Sequence, residues 1–252
     1  NAPVSYNMAG IPSHIEGDSY TKNTYRDSWI DDAYWAVDNN QFSERSQRFF
    51  GNAFVKYTTK FGTANHKLDI KYQIGDDAYS TNYSEIYGYG STWAPTGEDS
   101  EYHYTVNELN SLLTAAYTWN INEEWTLDAL IGNEFVDKKT KYEYAYSMNF
   151  NFPGWNHLNN ASVFSNESLY NKKRTVGNFA NLSVAWKNML YLSGSIRNDI
   201  VSSMPRDNRS FTYTSVSLGF IFTELATLKN NILTFGKIRA SYAEVGMAGD
   251  YT

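Results

Sequence analysis

Residues Lys67 to Ile74 read Lys-Leu-Asp-Ile-Lys-Tyr-Gln-Ile. In an extended segment Leu68, Ile70, Tyr72 and Ile74 then share one face, and Lys67, Asp69, Lys71 and Gln73 the other. The same period of two returns along the chain and predicts eight strands. The first covers 46–59, with Phe49, Gly51, Ala53, Val55 and Tyr57 against Asn52, Lys56 and Thr58; the Lys67 segment is the second. The third, 106–119, aligns Leu109, Leu113, Ala115, Tyr117 and Trp119, and the fourth sets Leu127, Ala129, Ile131 and Phe135 against Asp128, Gly132 and Glu134. The fifth carries Leu182 and Val184 against Asn181 and Ser183, and the sixth Leu190, Leu192 and Ile196 against Ser193, Ser195, Arg197 and Asp199. A seventh points Val216, Leu218, Phe220 and Phe222 outward, and an eighth runs from Ile232 to Ala243.

The connections alternate in length. Lys60–Asn65, Asn120–Glu123, Lys187–Asn188 and Glu224–Asn231 are short, whereas 75–104, 137–174 and 200–208 are longer and rich in Tyr, Ser, Asn and Asp. A soluble sheet has no reason to sort its loops this way, but a transmembrane barrel does: short turns at the periplasmic end, long loops outside, apolar residues toward lipid and polar ones toward the lumen. The fold class this predicts is all-β, an antiparallel transmembrane β-barrel segment. Residues 1–45 are polar, aromatic and aperiodic, from Tyr6 through Tyr20, Tyr25, Trp29, Tyr34 and Trp35 to Phe42, and are predicted to form an extracellular loop region; 46–252 are the barrel portion. Tyr57, Phe61, Trp119, Trp125, Trp186, Tyr191 and Phe222 sit beside the short turns, as an interfacial girdle would. Singly, each is also an ordinary strand residue.

Composition narrows this little but usefully. A mean hydropathy of -0.54 looks soluble, and no run approaches the roughly 18 apolar residues of a membrane helix. Alternation cancels in such averages, so a barrel stays open. The net charge of -6 argues against nucleic acid as a partner. With no cysteine there is neither a disulfide nor a thiolate metal site. The first residues lack an initiator Met and a signal peptide, and the chain stops soon after a strand-like segment, which suggests a piece of a longer polypeptide.

Candidate chemistry lies in the loops and on the polar faces. Tyr83, Tyr87, Tyr89 and Trp93 in the first long loop, and Tyr144 and Trp155 in the second, are candidate substrate-binding rings. They can stack on sugars or grip peptide side chains, or simply pack the loops together. Asp69, Lys71, Asp128, Glu134, Arg197 and Asp199 are predicted to face the lumen, as a wet channel wall or as a paired charge network inside a narrow barrel. Acidic clusters at Asp76-Asp77 and at Glu98, Asp99 and Glu101 lack EF-hand ligand spacing and read as solvated loop; His14, His66, His103 and His157 are scattered. No metal or cofactor is expected. GxSxG, GxGxxG and P-loop motifs are absent, so the chain reads as a non-enzyme.

Three segments carry a family likeness. Asn181 to Asp199, Thr214 to Phe220 and Leu233 to Gly246, with Tyr34-Trp35 and Arg48-Phe49-Phe50-Gly51-Asn52 upstream, resemble the barrel of SusC-like TonB-dependent transporters of Bacteroidetes. The resemblance implies a 22-stranded outer-membrane barrel with an N-terminal plug. It also implies energisation through TonB and a SusD-like surface lipoprotein as partner, with oligosaccharides or peptides as cargo. Neither plug nor TonB box is present in this chain, and Asn198-Asp199-Ile-Val-Ser-Ser203 departs from the family's usual charged pair and Gly-Ser-Ser. Two readings compete: a stand-alone carbohydrate-binding or structural β-protein, which buries Leu68, Ile70, Leu190 and Leu192 between sheets, and a small outer-membrane enzyme with a close Ser and His pair.

Overall fold

The computed structural model describes residues 8–23, 29–225 and 233–246. Tyr6, Tyr25, Ile232 and most of the expected 224–231 turn lie outside them. Strands β1 (His14–Ile15) and β2 (Asp18–Lys22) pair as a small sheet, and helix α1 (Ala33–Asn39) follows. The remaining strands are β3 (Gln41–Phe61), β4 (His66–Tyr87), β5 (Glu98–Asn120), β6 (Trp125–Phe150), β7 (Ala161–Trp186), β8 (Leu190–Val201), β9 (Ser210–Ile221) and β10 (Lys237–Ala243). They form one eight-stranded antiparallel sheet in which each strand lies beside its sequence neighbours.

Register follows the alternation. Between β7 and β8, Val184 faces Leu192 while Ser183 faces Ser193 and Asn181 faces Ser195. Between β8 and β9, Leu192 faces Leu218 while Ser193 faces Ser217, their hydroxyls 2.7 Å apart; Ser195 and Ser215 repeat the pair at 2.6 Å. A slip of one residue would set each apolar row against a serine row, which pins the pairing. The Lys187–Asn188 turn holds both residues at positive φ, 52° and 54°, with Met189 N–H donating to Trp186 O at 2.9 Å. That left-handed pair twists with the strands it joins.

The strands outrun the sequence pattern. β4 continues to Tyr87 and β5 starts at Glu98, so the 75–104 segment, expected as a loop, is irregular only over 88–97. β6 likewise reaches Phe150 and β7 starts at Ala161, which reduces the 137–174 loop to 151–160. In these extensions tyrosines alternate with Ser, Thr, Asn and Glu, so neither face carries the aliphatic signal by which a strand is recognised. Within 8–45, described as a loop by the sequence reading, lie β1, β2, α1 and the start of β3.

The chain divides into two compact units. The first comprises 1–48, 78–106 and 140–171. Its buried side chains include Trp35, Ile86, Ala94, Val106, Phe150 and Ala161. Trp35 is fully buried, and its indole N–H donates to Tyr20 O at 3.2 Å. Asp32 caps α1 by accepting from the Tyr34 and Trp35 amides. At Gly90, φ is +96° and a Cβ would lie 2.4 Å from Tyr20 O, so only glycine brings the 88–97 connection this close.

The second unit comprises 49–77, 107–139 and 172–252 and buries few apolar side chains, Met189 and Val201 among them. Several of its aliphatic residues are exposed, Ile70 at 39%, Leu192 at 50% and Ile131 at 61%, while others, Leu68 and Leu190 among them, are half-buried. Two packed sheets would have covered them. Rings meet near the short turns. His66 stacks on Phe61 and Trp119 at 5.1 and 5.4 Å, and Trp125 lies 6.0 Å from Trp186. Among the described residues no helix is long and apolar enough to cross a membrane.

Candidate functional site

Of the polar residues singled out in the sequence, Asp69, Glu134, Arg197 and Asp199, all in the second unit, form ion pairs. The Asp69 carboxylate receives Lys67 Nζ at 2.8 Å, Lys56 Nζ at 3.5 Å and the Thr58 hydroxyl at 2.5 Å. Lys71 instead lies over the Phe54 ring at 4.8 Å, and Asp128 accepts from the Thr118 hydroxyl at 2.6 Å. Arg197 bridges two acids, donating to Glu134 at 2.6 Å and Asp199 at 2.9 Å, with its guanidinium 5.8 Å from the Phe179 ring. Two glycines make room for this group. A Cβ on Gly132 would lie 2.2 Å from the Phe179 ring, and one on Gly177 would lie 2.6 Å from both Arg197 and Asp199. Charges of both signs alternating along one face give a polar wall that holds no large net field.

In the first unit the tyrosines align. The Tyr102 ring on β5 lies 5.6 Å from Tyr83 on β4 and 4.6 Å from Tyr144 on β6, a row across three neighbouring strands. Tyr79 meets Tyr104 at 6.1 Å, Tyr142 meets Tyr102 at 6.3 Å, and Tyr146 meets Tyr144 at 6.2 Å. Even spacing within each strand puts all of them on one face. Tyr79, Tyr83 and Tyr87 also keep the odd parity of Asp69 and Lys71 along β4. Two carboxylates share the face: Tyr87 donates its hydroxyl to Glu85 and Tyr146 to Glu98, each at 2.9 Å. Burial, together with those acids or a neighbouring phenol, pushes Tyr87, Tyr102 and Tyr146 up to about 12, so they remain neutral donors. One cation is already seated there, the Arg48 guanidinium at 6.0 Å from the Tyr79 ring.

Of the expected binding rings, Tyr83, Tyr87 and Tyr144 therefore stand on strands rather than in loops. Tyr89 and Trp93 lie in the 88–97 connection, Trp93 with 78% of its surface exposed. Trp155, in the 151–160 connection, stacks on Phe152 at 5.9 Å and His157 at 5.3 Å. Tyr102 and Tyr104, at the centre of the face, were absorbed into the expected loop. The period-two spacing of Tyr102 and Tyr104, and of Tyr142, Tyr144 and Tyr146, is the signal that marks them as a strand face.

On the opposite face Glu101, His103 and Glu143 line an open depression of about 420 Å³ together with Asn82 and Glu167. Among the described residues no group of three acidic, histidine or cysteine side chains is arranged to hold a metal ion. Asp99, expected in a solvated acidic loop, is instead buried, and one of its carboxylate oxygens lacks a hydrogen-bond partner. Burial, with Glu101 second, pushes its carboxyl up to about 6. Asp31 behaves oppositely: burial opposes its charge, but Lys22, Thr92 and Ser91 hydrogen-bond to the carboxylate and hold it below the usual range.

No family model matches the chain, and no curated protein does. Solved structures do match. Against the RagAB peptide transporter the TM-score is 0.75 at 23% identity, covering 89% of this chain and 25% of that one. The fold is similar to part of that transporter. The RagAB peptide importer gives a TM-score of 0.73 at 24% identity in its closed-closed state, covering 89% of this chain and 25% of that one. Its open-open state gives 0.73 at 24%, covering 91% and 26%. This chain thus spans about a quarter of the length of the chains it matches. The likeness is one of fold, an antiparallel β-sheet.

Proposed function

We propose that this chain is part of the barrel wall of a SusC-like, TonB-dependent importer in the outer membrane of a Gram-negative cell. The observation that carries the reading is the exposed aliphatic face of the second unit, set back to back with an ion-paired polar face and matched in fold by the RagAB transporter. Exposed apolar patches of this extent are unusual on monomers in water and are the rule on lipid-facing barrel strands. Asp69, Lys71, Asp128, Glu134, Arg197 and Asp199 then line the lumen, and the tyrosine face touches cargo. The whole protein works with a SusD-like lipoprotein and draws energy through TonB. Its cargo is an oligosaccharide or a peptide; the name of the matched RagAB transporter favours a peptide. The work is binding and gated passage, with no bond chemistry.

These 252 residues hold no cysteine, so once any cysteine elsewhere in the full-length protein is replaced, single cysteines report cleanly on this arrangement. In the full-length protein in outer membranes, Ile70→Cys and Leu192→Cys should react with an apolar maleimide and resist a charged one. Asp69→Cys and Ser193→Cys should show the reverse. Equal labelling of Ile70→Cys and Asp69→Cys by the charged reagent would sink the reading.

A further inference from the structure

We infer that the tyrosine face selects peptides with cationic side chains, a specificity that rests on the importer reading and narrows its cargo. Three observations converge. The Tyr83, Tyr102 and Tyr144 rings form a continuous row, and ring faces carry the negative part of the aromatic quadrupole. Glu85 and Glu98 lie on the same face, each already accepting one phenol hydroxyl and each with a second oxygen for an ammonium or guanidinium. The face also holds a guanidinium of the chain itself, Arg48 over Tyr79. The charged side chains shown in contact with these rings are one cation, Arg48, and two carboxylates, Glu85 and Glu98, so the local field favours an incoming positive charge.

Sugars would stack on the same rings but gain nothing from the carboxylates beyond hydrogen bonds. Acidic peptides would be repelled by them. A lysine or arginine side chain uses both, its stem lying along the rings and its charged end reaching Glu85 or Glu98. With phenols held neutral to about pH 12, the rings add no competing charge at physiological pH.

The test uses the full-length protein with its lipoprotein partner in detergent and four probes: nonapeptides rich in lysine, in serine or in glutamate, and a neutral oligosaccharide of similar size. By calorimetry the lysine peptide should bind at least about tenfold tighter than the serine peptide and the glutamate peptide weakest, in keeping with cation–π and charge contacts. Tyr102→Leu should weaken the lysine peptide roughly 3- to 30-fold, while Tyr102→Phe, which keeps the ring, retains most of the affinity. The Glu85→Gln, Glu98→Gln double variant should erase most of the lysine preference and leave serine-peptide binding in place. Equal or tighter binding of the serine or glutamate peptide, or a lysine preference that survives the double variant, overturns the inference. Binding of the oligosaccharide alone also overturns it while leaving the importer reading intact. A reversed cysteine-labelling pattern overturns both.

Discussion

Asp31→Ala should loosen the 88–97 connection without touching the second unit of the sheet. The carboxylate accepts from the Thr92 amide at 2.8 Å, the Thr92 hydroxyl at 2.7 Å and the Ser91 hydroxyl at 2.8 Å, and it pairs with Lys22. Both charged side chains are only 14% exposed, so water replaces these contacts poorly. Hydrogen bonds to a charged group are worth about 1.5 to 3 kcal/mol, and breaking a buried pair costs about 3 to 5 kcal/mol. These are not additive; we take about 3 kcal/mol, which corresponds to roughly 150-fold faster local opening. Hydrogen exchange of the 88–97 amides in the full-length protein at pH 7 reads this directly. The pH is well chosen: a depressed carboxyl contributes its full stabilisation above the unfolded value of 3.8 and loses it only as pH falls further. Asp31→Asn keeps an acceptor for the Thr92 amide and should open less than Asp31→Ala. Replacing both partners, Lys22→Met with Asp31→Leu, should recover only the part of the protection lost to a stranded Lys22 charge, because the Thr92 and Ser91 donors still lack their acceptor. An increase below about threefold for Asp31→Ala would refute the energetics, since such a change is under 1 kcal/mol. So would a paired replacement that opens as readily as the single one.

The other outcomes are quicker to state. Asp99, raised to about 6, is a buried acid that folds more readily when neutral, so its contribution is fully present below pH 3.8 and declines as pH rises to 6. Exchange of the 151–160 amides, corrected for intrinsic rate, should therefore speed up across that window, by a free-energy change of at most about 3 kcal/mol, and Asp99→Asn should flatten the profile. Gly132→Ala places a methyl against the Phe179 ring and should lower thermal stability of the folded protein by about 1 to 3 kcal/mol. Combining it with Phe179→Ala should cost less than the sum of the two, whereas strict additivity would mean that the ring and the methyl do not meet.

How much of this the sequence disclosed depends on what each face of a strand touches. Leu190, Leu192 and Ile196 against Ser193, Ser195 and Arg197 announce a strand because one face is aliphatic, and all eight sheet strands were found this way. From Ala78 to Tyr87 only Ala78 and Ile86 are aliphatic among polar and phenolic residues, so the pattern that ended at Ile74 had too little to continue on. The ion pairs were only half visible: the charges at Asp69 and Arg197 were, but not that Lys56, across on β3, joins Lys67 at Asp69, which needs the pairing of strands. Asp99 looked like one acid among three, and its contacts with the Leu158 amide and His157 in the 151–160 connection are hidden by distance in sequence. Trp35 is the clearest miss, since a lone tryptophan in a polar stretch gives no periodicity to mark it as a core.

The Lys187–Asn188 turn has a consequence for the order in which the sheet forms. With both residues at positive φ, twelve residue pairs from Trp186 and Leu190 outward to Thr175 and Val201 can close like a zipper from one end. Hairpins of this kind form in about 1 to 10 μs, far ahead of any pairing between distant segments. β7 and β8 would then be the first template against which β9 registers, through Leu190 and Phe220 onward. The Lys187–Asn188 bend is in that sense a starting clock for this part of the sheet.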